Sequence, residues 1–408
     1  MKTNIPAGYR DSAVGIIPQE WEVATLDKLG KVISGLTYSP DDISDTGILV
    51  LRSSNIQNGM LCMADNVYVN TVSYNPVKTG DILICVRNGS KNLIGKSAYI
   101  TPHYEGVAFG AFMSIYRSAN NNYLKHLFNS DIFYKNVHRN LGATINSING
   151  NDLKKFVIPI PPLAEQRKIA EILGVWDEAI EKQSRLIEKL ELRKRALMQH
   201  LLTGRTRLPG FTTPWQKVSY AEILKEVKRN MTWDDNEEYD LISVKRRSGG
   251  LFHRERLLGK NIKTKNLRPA LCGDFLISKM QIVHGASGLV TEEFDGMKIS
   301  GSYIALVAKS REKVEMNFIN WYSQTPYFYH QTYVSSYGVH IEKMTFDLES
   351  FMSMNIMLPP LPEQKAIAEV LTAVDNEITT HRKKLDALRL QKRGLMQQLL
   401  TGKTRVKI

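Results

Sequence analysis

Two stretches of this chain place apolar residues three or four positions apart over about four to five heptads, the spacing of a long helix with one buried seam. In the first, Ile169, Trp176, Leu190 and Leu197 share one phase, and Ile172, Ala179 and Leu186 supply the other. In the second, Ile367, Val374, Leu388 and Leu395 are in phase, with Val370 alongside. Gln183 and His381 interrupt the same seam position in both, a device that fixes helix register at some loss of stability. Pro161 and Pro162 stop the strand before the first helix, and Glu165 falls in its first turn, where a carboxylate suits the positive helix end. Gly204 and Gly402 read as helix stops. Between these stretches the pattern is shorter: strand-like alternation with Gly turns, and helix-like segments near 120–140 and 317–330. It predicts mixed α+β globular parts.

The two long stretches are copies. Residues 161–207 align without gaps on 359–405: PPLAEQRKIAEIL returns as PPLPEQKAIAEVL, and ALMQHLLTGRTR as GLMQQLLTGKTR, with roughly half the positions identical. A period of about 200 residues is a duplicated domain with its helix. The division expected is 1–160 globular, 161–207 helix, 208–358 globular, and 359–408 helix with a basic tail. The duplicated helices are expected to pair antiparallel about a pseudo-two-fold axis. At ~1.5 Å per residue, 35 to 40 helical residues would span roughly 50–60 Å and act as a spacer. Two unrelated surface helices, each packed on its own domain, are the open alternative.

The globular parts share only landmarks. PQEW and TPW open them. VKTGDILICVRNGSKNLIG answers ALCGDFLISKMQIVHGASG, and LGATINSI answers YGVHIEKM before each helix. Alike helices and unlike domains imply one kind of task on two targets. A duplex with two different half-sites demands this, at a spacing of roughly one helical turn.

Composition sharpens the partner. The 408 residues carry a net charge of +13 and 43% hydrophobic residues. The charge points to a polyanion, nucleic acid before membrane surface. No apolar run approaches the ~18 residues of a membrane span, and Met1 to Arg10 does not read as a signal peptide. Cys62, Cys85 and Cys272 lack CxxC spacing, which fits a reducing cytoplasm and argues against structural zinc.

PPLxEQ opening a helix that ends in LMQxLLTGxxR, present twice, resembles the specificity subunit of type I restriction-modification systems, and the likeness runs over essentially the whole chain. GDILI and GDFLISK resemble family landmarks too. The resemblance implies two target recognition domains reading the halves of a bipartite, asymmetric DNA site. The helices would separate them and dock two methyltransferase subunits. It places S-adenosylmethionine, and ATP and Mg where the complex restricts, on partner subunits and none on this chain. A stand-alone DNA-binding regulator or structural scaffold is the alternative.

Catalytic chemistry is missing from the residues themselves. Adenine methylation needs an Asp/Asn-Pro-Pro-aromatic loop, but the proline pairs here follow Ile160 and Leu358 and precede leucine. Gly402-Lys403-Thr404 ends a helix, and the first glycine of a phosphate loop would fall on Gln397. Glu226 and Lys228 imitate part of a nuclease centre without an acidic partner, and no His/Cys cluster has metal-ligand spacing.

Base reading calls for paired donors and acceptors on loops. Candidates after the Gly-Asp strands are Arg87, Asn88, Ser90, Lys91 and Asn92, and in the second domain Lys279, Gln281 and His284. A second set is Arg52, Ser53 and Asn55, with Lys245 and Arg246. Thr144, Asn146, His340 and Lys343 precede the long helices. The run Lys245 to Arg268 holds nine Lys/Arg against Glu255, so Arg247 and Arg254 join as phosphate contacts; a solvated charged surface is the plainer reading. Trp321, Tyr322, Tyr327, Phe328 and Tyr329 have the spacing of domain core. Arg193, Lys194 and Arg195, with Met198, Leu201 and Leu202, are candidates for docking a partner subunit, or equally for coiled-coil core.

Overall fold

The computed structural model describes residues 5–141 and 146–408. The chain forms two compact units: residues 1–184 with 383–408, and residues 185–382. The long helices are Leu163–Leu201 and Leu361–Leu399, 39 residues each. Each gives one half to one unit and its other half to the second, so the units run across the helix boundaries expected from sequence. The reason is apolar burial: Ile169, Leu173, Met396, Leu399 and Leu400 belong to the core of the first unit. Leu201, Leu202, Ile367, Ala368 and Leu371 belong to that of the second.

Both units are α+β, and each contains its own antiparallel sheet of one common strand order. In the first unit its order is Ser97–Tyr99, Ile82–Cys85, Met113–Arg117, Lys31–Ser34. In the second it is Ser287–Leu289, Phe275–Ser278, Tyr303–Ala308, Leu224–Glu226, the same order. The central strands ILIC and FLIS are buried at every position, as strands covered on both faces must be. The Gly-Asp before each explains the landmark. Asp81 is buried, accepts from the Lys78 backbone N–H at 2.7 Å and from Arg117 Nε and Nη2, each at 2.7 Å. Asp274 does the same with the Leu271 N–H and the guanidinium of Arg229. A buried carboxylate satisfied by a turn and an arginine sets where the strand begins.

Helices Asn121–Leu127 and Asp131–Asn140 of the first unit correspond to Met316–Tyr322 and Pro326–Val334 of the second. Trp321, Tyr322 and Phe328 are core, as their spacing predicts, whereas Tyr327 is exposed. The other four-stranded sheet is where the units differ. In the first its strands are two to four residues long. In the second, Glu238–Val244 and Leu251–Leu258 pair along their whole length as a hairpin.

Within each unit the helix halves run antiparallel. In the first, Glu165 meets Arg405 and Asp177 meets Lys392. In the second, Glu363 meets Arg207 and Asp375 meets Lys194. The phase Ile169, Trp176, Leu190, Leu197 lies inward as expected, but the second seam line is displaced by one residue. Leu173, Ile180 and Ile187 are buried, while Leu186 is exposed; in the second helix Leu371, Ile378 and Leu385 take the place expected for Val370. Apolar residues stand at both three- and four-residue offsets, so periodicity alone allows either, and packing selects the four-residue step.

Candidate DNA interface

Three loops converge in the first unit. The chain leaving strand Ile82–Cys85 turns at Arg87–Asn88, and the Asn88 amide donates to Ser53 Oγ at 3.0 Å. The loop before the long helix closes on the same turn: Arg87 bridges Ser147, and Asn146 Nδ2 donates to the Gly89 carbonyl at 2.9 Å. Ser90, Lys91 and Asn92 continue outward, all exposed. Arg52 is half-buried and held by Asp65 at 2.8 Å. Asn55 is withdrawn from the set. It is fully buried, and its amide is spent on the Cys62 and Asp65 carbonyls, so it shapes the loop instead of presenting an edge. Thr144 lies outside the described residues. One further residue, missed in the sequence, stands here: Phe112 is 56% exposed, with the Arg87 guanidinium 5.7 Å from its ring centroid. A lone phenylalanine in a strand-edge turn carries no sequence signal of exposure.

The second unit converges the corresponding loops. Lys245, Arg246 and Arg247 form the exposed tip of the long hairpin. The N–H groups of Arg247 and Ser248 donate to the His284 and Gly285 carbonyls at 2.6 and 2.9 Å. Arg247 and Ser248 both sit at positive φ, 58° and 53°, a conformation side chains rarely adopt. Ser248 Oγ and Tyr329 Oη lie 2.8 Å apart and brace that strained turn. Glu342 lies between two of these loops, 3.1 Å from Arg246 and 3.3 Å from the His284 ring. Lys279 reaches the same place through its backbone, accepting from Phe346 N–H at 3.0 Å. His340 and Lys343 are exposed on the short turn that bears Glu342, and Gln281 is half-buried below.

The basic run is less free than its composition suggests. Arg254 pairs with Glu255, Lys265 with Asp235, and Arg256 with Asp240. Hydrogen bonding by Arg256, then by His253, pulls Asp240 down to about 2. Among the described residues Lys245, Arg247, Lys260, Lys263 and Arg268 of this run have no acidic partner, and of these Lys245 and Arg247 stand together at the exposed hairpin tip.

Among the docking candidates, Arg193 and Arg195 are exposed. The others are already occupied. Lys194 bonds Asp375 at 2.5 Å and lies 4.8 Å from the Trp321 ring centroid. Leu201 and Leu202 are buried in the second core, with Met198 packed against it. They hold the unit together, because the helix end they occupy is wrapped by its own globular part.

What the sequence did not show is how the repeat motifs meet. Glu165 of the first PPLxEQ is 1% exposed. It accepts from the Trp21 indole at 2.9 Å and from Arg405 of the second tail at 2.8 and 3.1 Å. Glu363 of the second copy is 0% exposed. It accepts from Trp215 at 3.0 Å and from Arg207 of the first tail at 2.5 and 2.6 Å. These carboxylates hold both arginines above their ordinary pKa. Gly204 and Gly402, each at φ 69°, turn the tails back as the sequence anticipates. Gln166 and Gln364 each donate to the first proline of their own motif at 2.8 Å. One clamp is thus built twice, each from the start of one repeat and the end of the other.

The profile of the type I restriction modification DNA specificity domain matches this chain twice, over residues 18–192 and 214–390. The chain belongs to that family.

Relatives of this specificity chain are aligned along most of it. A Methanocaldococcus jannaschii protein, provisionally named the MjaX type I restriction enzyme specificity subunit, is 27% identical, with 98% of this chain and 97% of that one aligned. The StySPI specificity subunit of Salmonella potsdam is 25% identical over 88% of this chain and 82% of its own. The crystal structure of the type I restriction-modification S subunit from M. genitalium shares the fold, with TM-score 0.59 at 15% identity, covering 93% of this chain and 96% of that one. Among the described residues no group of three or more His, Cys, Asp or Glu could hold a metal ion, and no helix is long and apolar enough to cross a membrane.

Proposed function

We propose that this chain is the sequence-reading subunit of a type I restriction-modification complex, each unit reading one half of a bipartite, asymmetric DNA target. The observation that carries the reading is the contrast within the duplication. Sheet order and the Trp-Glu-Arg clamp are the same in both units, while the residues at the three-loop convergence differ. At that convergence the first unit presents Arg87, Asn88 and Asn146, and the second Lys279, Arg246 and Lys343. Different donors on one scaffold read different bases. The exposed cations Lys91, Lys245 and Arg247 supply phosphate attraction, which sets affinity and salt dependence more than sequence choice.

In this reading the chain performs no chemistry. Two methyltransferase subunits dock on it and carry S-adenosylmethionine; motor subunits, where present, carry ATP and Mg. Arg193 and Arg195 are the docking residues left exposed by the helix packing.

Adenine-methylation mapping of DNA from cells expressing the chain with its modification subunit tests this. A bipartite motif should appear only when the chain is present, and replacing 1–160 or 208–358 by the matching segment of a relative should change one half alone. Absence of any chain-dependent motif, with a modification subunit shown to be competent, would refute the proposal.

A further inference from the structure

We propose that Phe112 is a specificity-determining residue of the first unit, its ring and the Arg87 guanidinium together reading a guanine next to a thymine. This rests on the DNA-reading function proposed above. Phe112 lies in the turn between Gly110 and Met113, where the Met113 N–H donates to the Gly110 carbonyl at 2.8 Å. Its own carbonyl accepts from Val86 and Arg87 N–H at 3.0 and 3.1 Å, which ties the ring to the base-reading loop. Phe109, three residues earlier, is 1% exposed within the core. Phe112 therefore stands outside on a turn whose neighbouring phenylalanine goes inside, and no core requirement explains it.

The fold itself has no use for a ring at this place. Met113 pairs with Cys85 as Tyr303 pairs with Ser278, and the Val86 N–H donates to Phe112 where the Lys279 N–H donates to Ser302 at 2.9 Å. The second unit thus carries a serine at the equivalent point of the same sheet.

The chemistry of the pair selects its ligand. Arg87 has no acidic partner among the described residues, so its charge is not neutralised. Contact with the ring holds the guanidinium without consuming an N–H donor. Its donors remain available for O6 and N7 of guanine, the commonest arginine contact in the major groove. An exposed ring beside it matches the one apolar group on that groove edge, the thymine methyl.

The test compares wild type with Phe112→Ser, each co-expressed with the modification subunit. Methylation mapping should show the half-site of the first unit relaxed about ten-fold at one base pair, with the other half-site unchanged. Binding of the purified wild-type complex should weaken similarly when that thymine is replaced by uracil. For the variant, the same replacement should have no effect. Thermal unfolding should be unchanged, since serine is the residue the duplicate carries. A wild-type motif read as sharply by the variant overturns the assignment and leaves the DNA-reading function standing. Loss of co-purification with the modification subunit also overturns it, making the ring a protein contact. No motif even for wild type removes the underlying reading, and the assignment with it.

Discussion

Glu165→Gln is expected to destabilise the first unit by about 2–3 kcal/mol, a fall of roughly 5–10 °C in its unfolding midpoint. The carboxylate is buried and accepts from three nitrogens, two on Arg405 and one on Trp21. A neutral amide of the same shape cannot accept from all three, and it turns one N–H against another donor. Removing one partner of a buried pair costs about 3–5 kcal/mol. The loss expected here falls below that range because the Arg405 side chain is 38% exposed, where water recovers part of its charge, and it keeps a second carboxylate, Glu20, at 3.1 Å. Glu363→Gln should do the same to the second unit. The clamps share no residue, so the two losses should add in the double variant. Differential scanning calorimetry of the four proteins measures this. A shift below about 1 °C for Glu165→Gln would show that the clamp carries no stability.

Acid should weaken the first unit well before carboxylates protonate. His126 is 2% exposed, on the face of helix Asn121–Leu127 that meets the long helices. Burial above all, then the charges of Lys392 and Lys125, drives its imidazole down to about 2. Asp177 is 3.6 Å away, but its carboxylate is already bonded to Lys392. The folded chain therefore holds His126 neutral, whereas the unfolded chain protonates it near its ordinary value of about 6.5. Its contribution is complete above about pH 6.5 and is lost progressively as pH falls from there toward about 2. The limiting slope is about 1.4 kcal/mol per pH unit. Unfolding midpoints from pH 7.5 to 5 should fall for wild type and fall less steeply for His126→Leu. Equal slopes would mean that His126 is protonated in the folded state. The second unit has Trp321 at the corresponding place, its indole donating to Thr372 Oγ1 at 3.1 Å, and should lack this response.

Neither effect is visible in the string of residues. His126 reads as one polar position in an amphipathic helix, and Glu165 as an ordinary first-turn carboxylate. Their roles depend on partners far along the chain, Asp177 and Lys392 for the one, Trp21 and Arg405 for the other, brought close by tertiary packing. Among the candidate DNA residues the same limit holds. Arg87, Asn88, Asn146 and Ser53 were identifiable by residue type and by the Gly-Asp landmark. That Asn55 turns inward, and Phe112 outward, depends on which side of a short turn each side chain leaves.

By itself the sequence determined the duplication, the two long helices and their stops, the α+β character of the globular parts, and the family likeness. These rest on local periodicity, glycine and proline chemistry, and identity between copies, all of which survive in one dimension. Tertiary structure alone decided which seam line is buried, that Leu201 and Leu202 serve the core, and that each Glu is clamped by the other repeat's arginine. It also showed that each unit has a sheet of the same strand order. Those outcomes are set by contacts distant in sequence, where burying an apolar face or pairing a buried charge selects among arrangements that local pattern leaves equal.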